Sequence, residues 1–351
     1  MSRFFSSVFS ALTPYVPGEQ PKNGGFIKLN TNESPFPPSK RAVEAGAKAL
    51  GRLNLYSDPS CSALKKAASK LYGVPEECII CSNGSDEVLS WAFAAFCEEG
   101  RPGIFPDVTY GFYPVFAAQN RVPFKVIPLL PDLSMDVQTM AETDGTLFIA
   151  NPNAPTGIAI DADVIEALVK ERPERIVVID EAYVDFGAES VVPLVKKYDN
   201  LLVTQTFSKS RSMAGARLGF GFASPALIND LETIRCSINP YNVGSVAQAM
   251  GIGALEDNDY MLDNCREICE NRAYTVSALK ALGFELTDSK ANFVFARHPD
   301  AGGEELYRKL REKGILVRHF SRPERIKDYN RITVGSIDEM KALVKALAEV
   351  L

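Results

Sequence analysis

The densest chemistry in this 351-residue chain lies in Thr206-Phe-Ser-Lys-Ser-Arg-Ser-Met-Ala-Gly-Ala-Arg217, where Lys209 and Arg217 stand among small residues directly after an apolar run. A lysine is ordinarily solvated; one seated beside a buried strand is an amine available for nucleophilic use. Asp180-Glu-Ala-Tyr183 ends another β-branched run, and a carboxylate at a strand terminus is partly buried and needs a cationic partner. A structural ion pair accounts for it equally. Asn83-Gly-Ser-Asp86 follows a short strand at 79–81 and opens a helix, where free amides and the Ser85 hydroxyl suit a phosphate. N-capping by Ser85 or Asp86 explains the same residues and, for that segment alone, is preferred. In Asn151-Pro-Asn-Ala-Pro-Thr-Gly157 two prolines stiffen an Asn-bearing loop, which also reads as an ordinary turn.

Elimination narrows the chemistry. Two histidines, His298 and His319, supply neither a multi-histidine metal site nor much for Ser/His catalysis, and both read as surface or structural. No Gly-Lys dipeptide, GxGxxG or GxSxG occurs, so the markers of P-loop ATPases, dinucleotide enzymes and α/β-hydrolases are missing. Charges sum to 38 − 44 = −6 and the pI is near 5.3, which disfavours nucleic acid and anionic membranes as partners. The longest apolar run, 89–97, is interrupted by Ser90 and is too short for a bilayer. Residues 1–12 read as a docking arm in preference to an export signal. Seven dispersed cysteines suit a reducing cytosol, and Cys78-Ile-Ile-Cys81 reads better as a buried strand than as half of a zinc site. What remains is an amine for a Schiff base, a carboxylate for a ring nitrogen, and amides with an arginine for a phosphate. Pyridoxal 5′-phosphate has all the complementary features.

Apolar periodicity that alternates between 2 and 3.6 predicts strand–helix units stacked into a parallel sheet, an α/β fold class. Helices are expected at 39–50, 64–72 and 88–96, and buried strands at 146–150, 176–180, 201–206 and 218–222. The polar groups gather just beyond those strands, at the carboxyl ends where open α/β sheets hold ligands. After about residue 234 the pattern changes to helices near 246–255 and 259–282 with short strands at 293–296, 316–317 and 331–334, a smaller α+β unit. This divides the chain into a large ligand-binding domain, 36–243, and a small unit built from 1–35 and 244–351. Residues 322–330 read as an exposed polar loop.

In family order, Tyr15-Val-Pro-Gly18, Lys28-Leu-Asn-Thr-Asn-Glu-Ser-Pro35, Asn83-Gly-Ser-Asp-Glu87, Asn151-Pro-Asn-Ala-Pro-Thr-Gly157, Asp180-Glu-Ala-Tyr183, Ser208-Lys209 with Arg217, and Arg331-Ile-Thr-Val-Gly335 resemble the aspartate-aminotransferase-like pyridoxal-phosphate enzymes. Within them, the chain resembles the histidinol-phosphate aminotransferase family. The resemblance implies that Lys209 binds the cofactor and moves the proton, and that Asp180 pairs with the pyridine nitrogen. It gives Asn153 and Tyr183 the phenolic oxygen and Tyr110 the ring face. The phosphate falls to Gly84, Ser85, Asp86, Ser208 and Arg217. Tyr56 is implied to reach the neighbouring subunit's phosphate, hence a homodimer with shared sites. Tyr15, Asn32, Arg318 and Arg331 are implied to bind substrate. The implied reaction exchanges an amino group between L-histidinol phosphate and 2-oxoglutarate, giving imidazole acetol phosphate and L-glutamate, in histidine biosynthesis.

Two departures stand out: Ser210-Arg-Ser212 where small–aromatic–small residues are common, and Ala154 where Asn is common. The first leaves the side-chain pocket and the role of Arg211 open. An aromatic-amino-acid aminotransferase and a threonine-phosphate decarboxylase are the alternative activities.

Overall fold

The computed structural model describes residues 2–10, 12–21 and 25–351. Seven strands form one sheet in the spatial order Ile79–Ser82, Gly219–Ala223, Leu201–Thr206, Val177–Asp180, Thr146–Ala150, Gly103–Pro106, Phe124–Ile127. Every neighbouring pair is parallel except the two made by Gly219–Ala223. The expected mostly parallel α/β architecture is therefore present. Its strands are buried on both faces, as a parallel sheet between helices requires, except for the edge strand Phe124–Ile127, of which only Ile127 is buried. Period-two alternation sends Leu147, Ile149, Val177 and Ile179 into one core and Phe148 and Val178 into the other.

Local signals set the flanking helices. Ser39 caps Lys40–Ala49 by accepting the Ala42 amide at 3.2 Å, and Gly73, at φ +65°, ends Ser62–Tyr72. Ser85–Phe96 is apolar nearly all round because it is enclosed between the sheet and other helices; Phe93 stacks on Phe148 with ring centroids 3.9 Å apart. Ala254 and Leu255, from Ser245–Glu256, join the larger core.

A four-stranded antiparallel sheet, in the order Arg318–His319, Asn330–Thr333, Phe293–Arg297, Glu285–Leu286, forms the smaller unit with the helices Asn258–Ala281, Gly303–Glu312 and Ile337–Val350. The short strand Ile27–Lys28 pairs with Ile315–Leu316 and ties the N-terminal segment to it. Residues 322–325 and 327 are exposed, as expected of a polar loop, but the segment is not exposed throughout. Ile326 and Asn330 are buried and the Tyr329 ring stacks on Phe295 at 4.6 Å. One apolar side chain among charged neighbours carries no periodic signal, yet here it fills the seam beside the larger core.

The histidines have structural partners: His298 Nε2 meets the Leu282 carbonyl at 3.2 Å and His319 Nε2 the Lys327 carbonyl at 2.7 Å. All seven cysteines are free, and Cys81 lies in the buried strand Ile79–Ser82. Among the described residues no cluster of metal-ligating side chains occurs and no helix is long and apolar enough to cross a membrane. In the N-terminal arm Phe4, Phe5 and Val8 are exposed, while Met1 and Ala11 lie outside the described residues.

Candidate active site

Register brings the first groups together. Ala150, Asp180 and Thr204 are successive cross-strand partners at the carboxyl ends of three parallel strands. The next strand runs antiparallel, so the excursion between Thr206 and Gly219 returns to the same end of the sheet, carrying Lys209 and Arg217 with it. A cavity of about 170 Å³ sits there, lined by Lys209, Asp180, Tyr183, Ser85, Asp86 and Arg217 among others.

Within it, Lys209 is half-buried, and its Nζ donates to the Thr31 carbonyl at 3.1 Å and lies 5.8 Å from the centre of the Tyr183 ring. Asp180 is buried; it accepts from Thr204 Oγ1 at 3.2 Å and the Ala182 amide at 3.2 Å. The buried Tyr113 hydroxyl leans on the same carboxylate without good hydrogen-bond geometry. Burial, reinforced by repulsion from Asp86, pushes the Asp180 carboxyl up to about 7. A carboxyl so placed lacks a cation. The protonated nitrogen of a pyridine ring is one that fits.

The anion-binding side is built on the start of the helix Ser85–Phe96. Gly84 precedes it at φ +81°, and no side chain caps it, so the expected Ser85 or Asp86 cap is absent; the Glu87 amide donates to the Gly84 carbonyl at 3.3 Å, while the Ser85 and Asp86 amides keep no intrahelical partner. Asp86 is engaged instead by the Tyr110 hydroxyl at 2.7 Å and Arg217 Nη2 at 3.3 Å. Arg217 Nη1 donates to Ser208 Oγ at 3.3 Å. Gly84 has little room for a side chain, since a methyl there would overlap the Arg217 guanidinium. Gly219 allows its strand to approach the loop; a methyl would lie 2.5 Å from the Ser85 amide nitrogen. Amides, a hydroxyl and a guanidinium thus converge where a phosphate would be held.

A second cavity, about 590 Å³, abuts the first through shared Tyr110 and Ala154. Tyr15, Arg318 and Arg331 line it. The two arginines are directly opposed on antiparallel strands, an arrangement of like charges that is destabilising by itself. Arg331 Nη2 reaches the Asn30 carbonyl at 3.1 Å, whereas its buried Nε has no hydrogen-bond partner. Burial holds the Arg331 guanidinium below its ordinary pKa. This pair is arranged for an anion. Arg318 also donates to the Val16 carbonyl at 3.2 Å, and Tyr15 stacks on Phe112 at 4.2 Å, so the N-terminal segment walls the cavity.

Two expected site residues, Asn153 and Asn32, make other contacts within the chain. Asn153 spends its amide on the Val108 carbonyl and Thr156 Oγ1, both at 3.0 Å, and accepts from Thr109 Oγ1 at 2.8 Å. It lines neither cavity of the site; Ala154 does, so the departure at 154 falls where the ligand would lie. Asn32 likewise lines neither, because its amide donates to the Tyr183 hydroxyl at 3.0 Å and its Oδ1 accepts from Thr333 at 3.1 Å. It orients Tyr183. Tyr56 is 84% exposed, stacked on Tyr241 at 4.6 Å, and does not line the cavities of its own chain. Arg211 resolves as an internal tie: it is buried, donating to the Ala254 carbonyl at 3.1 Å and Asn258 Oδ1 at 3.0 Å. Sequence reasoning missed Thr31, Thr204 and Tyr113. Thr204 and Thr206 had a signal, since spacing of two puts both on one face of a strand.

Residues 25–347 match the aminotransferase class I and II family. The chain belongs to that family. It is 47% identical over its whole length to histidinol-phosphate aminotransferase 1 of Bradyrhizobium diazoefficiens, covering all of that protein. It is 48% identical to the histidinol-phosphate aminotransferase of Acetobacter pasteurianus, over all of this chain and 99% of the relative. The fold superposes on the crystal structure of histidinol-phosphate aminotransferase from Sinorhizobium meliloti in complex with pyridoxal-5′-phosphate, with a TM-score of 0.89, 23% identity and coverage of 100% and 98% of the two chains.

Proposed function

We propose that the protein is a pyridoxal-phosphate-dependent aminotransferase that exchanges the amino group of L-histidinol phosphate with 2-oxoglutarate, in histidine biosynthesis. The observation that carries the reading is the placing of one amine, one cation-seeking buried carboxylate and one anion cradle around a single cavity. The names of the relatives point to the same substrate.

When bound, the cofactor supplies the electron sink and carries the amino group from donor to acceptor. Lys209 Nζ would hold its aldehyde and, as a free amine, would move the proton at the substrate carbon that bears the amino group. Asp180, ionised against the ring nitrogen, keeps that nitrogen protonated. Tyr183 accepts from Asn32 and so has its own O–H free to donate to the phenolic oxygen. Ser85, Asp86, Ser208 and Arg217 surround the phosphate, and Tyr110 is held beside the ring by its bond to Asp86. Arg318 and Arg331 take the substrate's phosphate, or a carboxylate when glutamate enters, through forked hydrogen bonds. Tyr15 limits access of water.

In this reading residues 36–243, with the helix Ser245–Glu256 packed on them, bind the cofactor, while 1–35 and the rest of 244–351 bring the arginines. The exposed apolar Val43, Leu50, Leu53, Leu55 and Ile238 support a homodimer, in which Tyr56 would reach the other subunit's phosphate. The place of action is the cytoplasm.

Borohydride reduction of the holoenzyme followed by peptide mapping tests the site: the pyridoxyl label should fall on Lys209, and a label elsewhere rejects it. A substrate panel tests the activity. Histidinol phosphate should lead phenylalanine, tyrosine and threonine phosphate in kcat/KM, and a lead for phenylalanine would make the protein an aromatic aminotransferase.

A further inference from the structure

Asp107 follows the strand Gly103–Pro106 and lines the larger cavity, where it is the one carboxylate among the lining residues. Its Oδ1 accepts the Leu129 amide at 3.0 Å and the Arg325 guanidinium, and Arg325 reaches back to the Leu129 carbonyl at 2.8 Å. The carboxylate is therefore clamped in orientation. Its Oδ2 has no hydrogen-bond partner among the described residues, and the side chain remains 24% exposed. Much of the remaining wall is apolar, with Pro114, Val115, Ala118, Phe124 and Ile326. The neighbouring hydroxyls are already donating, Tyr110 to Asp86 and Thr109 to Asn153.

We infer that Asp107 Oδ2 accepts the ring N–H of the substrate's imidazole and so makes the cavity prefer imidazole to phenyl. The inference rests on the proposed transamination of histidinol phosphate and names the group that chooses among its competitors. Apolar walls fit either ring about equally and discriminate weakly. A neutral imidazole always carries one N–H, in either tautomer. A phenyl ring brings none and shields a carboxylate oxygen from water without replacing the lost hydrogen bond.

The test compares wild type, Asp107→Ala and Asp107→Asn as holoenzymes, measuring kcat/KM for histidinol phosphate and for phenylalanine with 2-oxoglutarate as acceptor. In Asp107→Ala the histidinol-phosphate to phenylalanine ratio should fall by about 10- to 100-fold, through the first substrate, with phenylalanine unchanged within about threefold. Asp107→Asn keeps an oxygen for the Leu129 amide, which guards against loss of the fold, and should lower the ratio by about 10-fold through loss of the charge. Both substrates falling together, or an unchanged ratio in either folded variant, overturns the inference while leaving the aminotransferase reading intact. A wild-type enzyme that accepts phenylalanine but not histidinol phosphate removes the substrate reading and this inference with it.

Discussion

Replacing Asp180 by Asn separates what this carboxyl does for binding from what it costs the fold. Its ordinary value of 3.8 is pushed up to about 7 by burial and by Asp86. For an acid whose folded pKa is raised, the native state holds a proton that the unfolded chain releases, so stability is full below 3.8 and is lost as pH rises through 7. The shift of about 3 units amounts to roughly 4 kcal/mol in the cofactor-free protein at pH 8, an upper value because water enters the cavity. At pH 5 the same linkage has removed about 1.7 kcal/mol. Asn does not titrate, so the stability of cofactor-free Asp180→Asn relative to wild type should rise by roughly 2–3 kcal/mol between pH 5 and pH 8. Any fixed cost of the amide, and the titration of Glu181, which burial also pushes up to about 7, cancel in that difference. Urea unfolding at the two pH values measures it. The same variant should bind pyridoxal phosphate about 10- to 100-fold more weakly at pH 8, read by absorbance titration, because the ring nitrogen loses its counter-charge. A pH-independent stability difference, or one that narrows with rising pH, would refute the reasoning.

Three further outcomes follow from the geometry. Asn153→Ala should lower stability by about 1–3 kcal/mol while cofactor affinity and absorbance stay close to wild type, because the Asn153 amide holds Val108, Thr109 and Thr156 together; thermal unfolding and titration together decide it. Gly219→Ala should cost roughly 1–3 kcal/mol and weaken cofactor binding, since the new methyl meets backbone at Ser85 and Gly84 that cannot swing aside as a side chain can. Arg331→Lys should reduce kcat/KM for histidinol phosphate by about 10- to 100-fold through loss of forked contacts, measured in steady state, with a wild-type absorbance spectrum of the bound cofactor.

Much of the site was legible because its groups follow strand ends within a few residues. Asp180 and Lys209 are each placed by a single element, so apolar runs followed by polar residues reveal them. What Asn153 and Ala154 face was not legible, since the direction of a side chain in a two-proline turn has no period to follow. The contacts of Asn32 were hidden for a related reason: its partners, Tyr183 and Thr333, lie far along the chain. The burial of Ile326 and Asn330 within 322–330 was equally hidden, because it depends on what distant segments bring against them.

The amino-acid sequence alone determined the α/β class and the strand–helix order, which are properties of local periodicity, and it singled out Lys209, Asp180 and the 83–86 loop as candidates whose roles the family resemblance implies. Only the tertiary structure decided that Arg318 and Arg331 oppose each other, that Asp180 is buried near Asp86, and that Asp107 keeps one oxygen free. Those depend on strand register and on the meeting of distant segments, and the electrostatic energies that make them useful exist only once water has been excluded from between them.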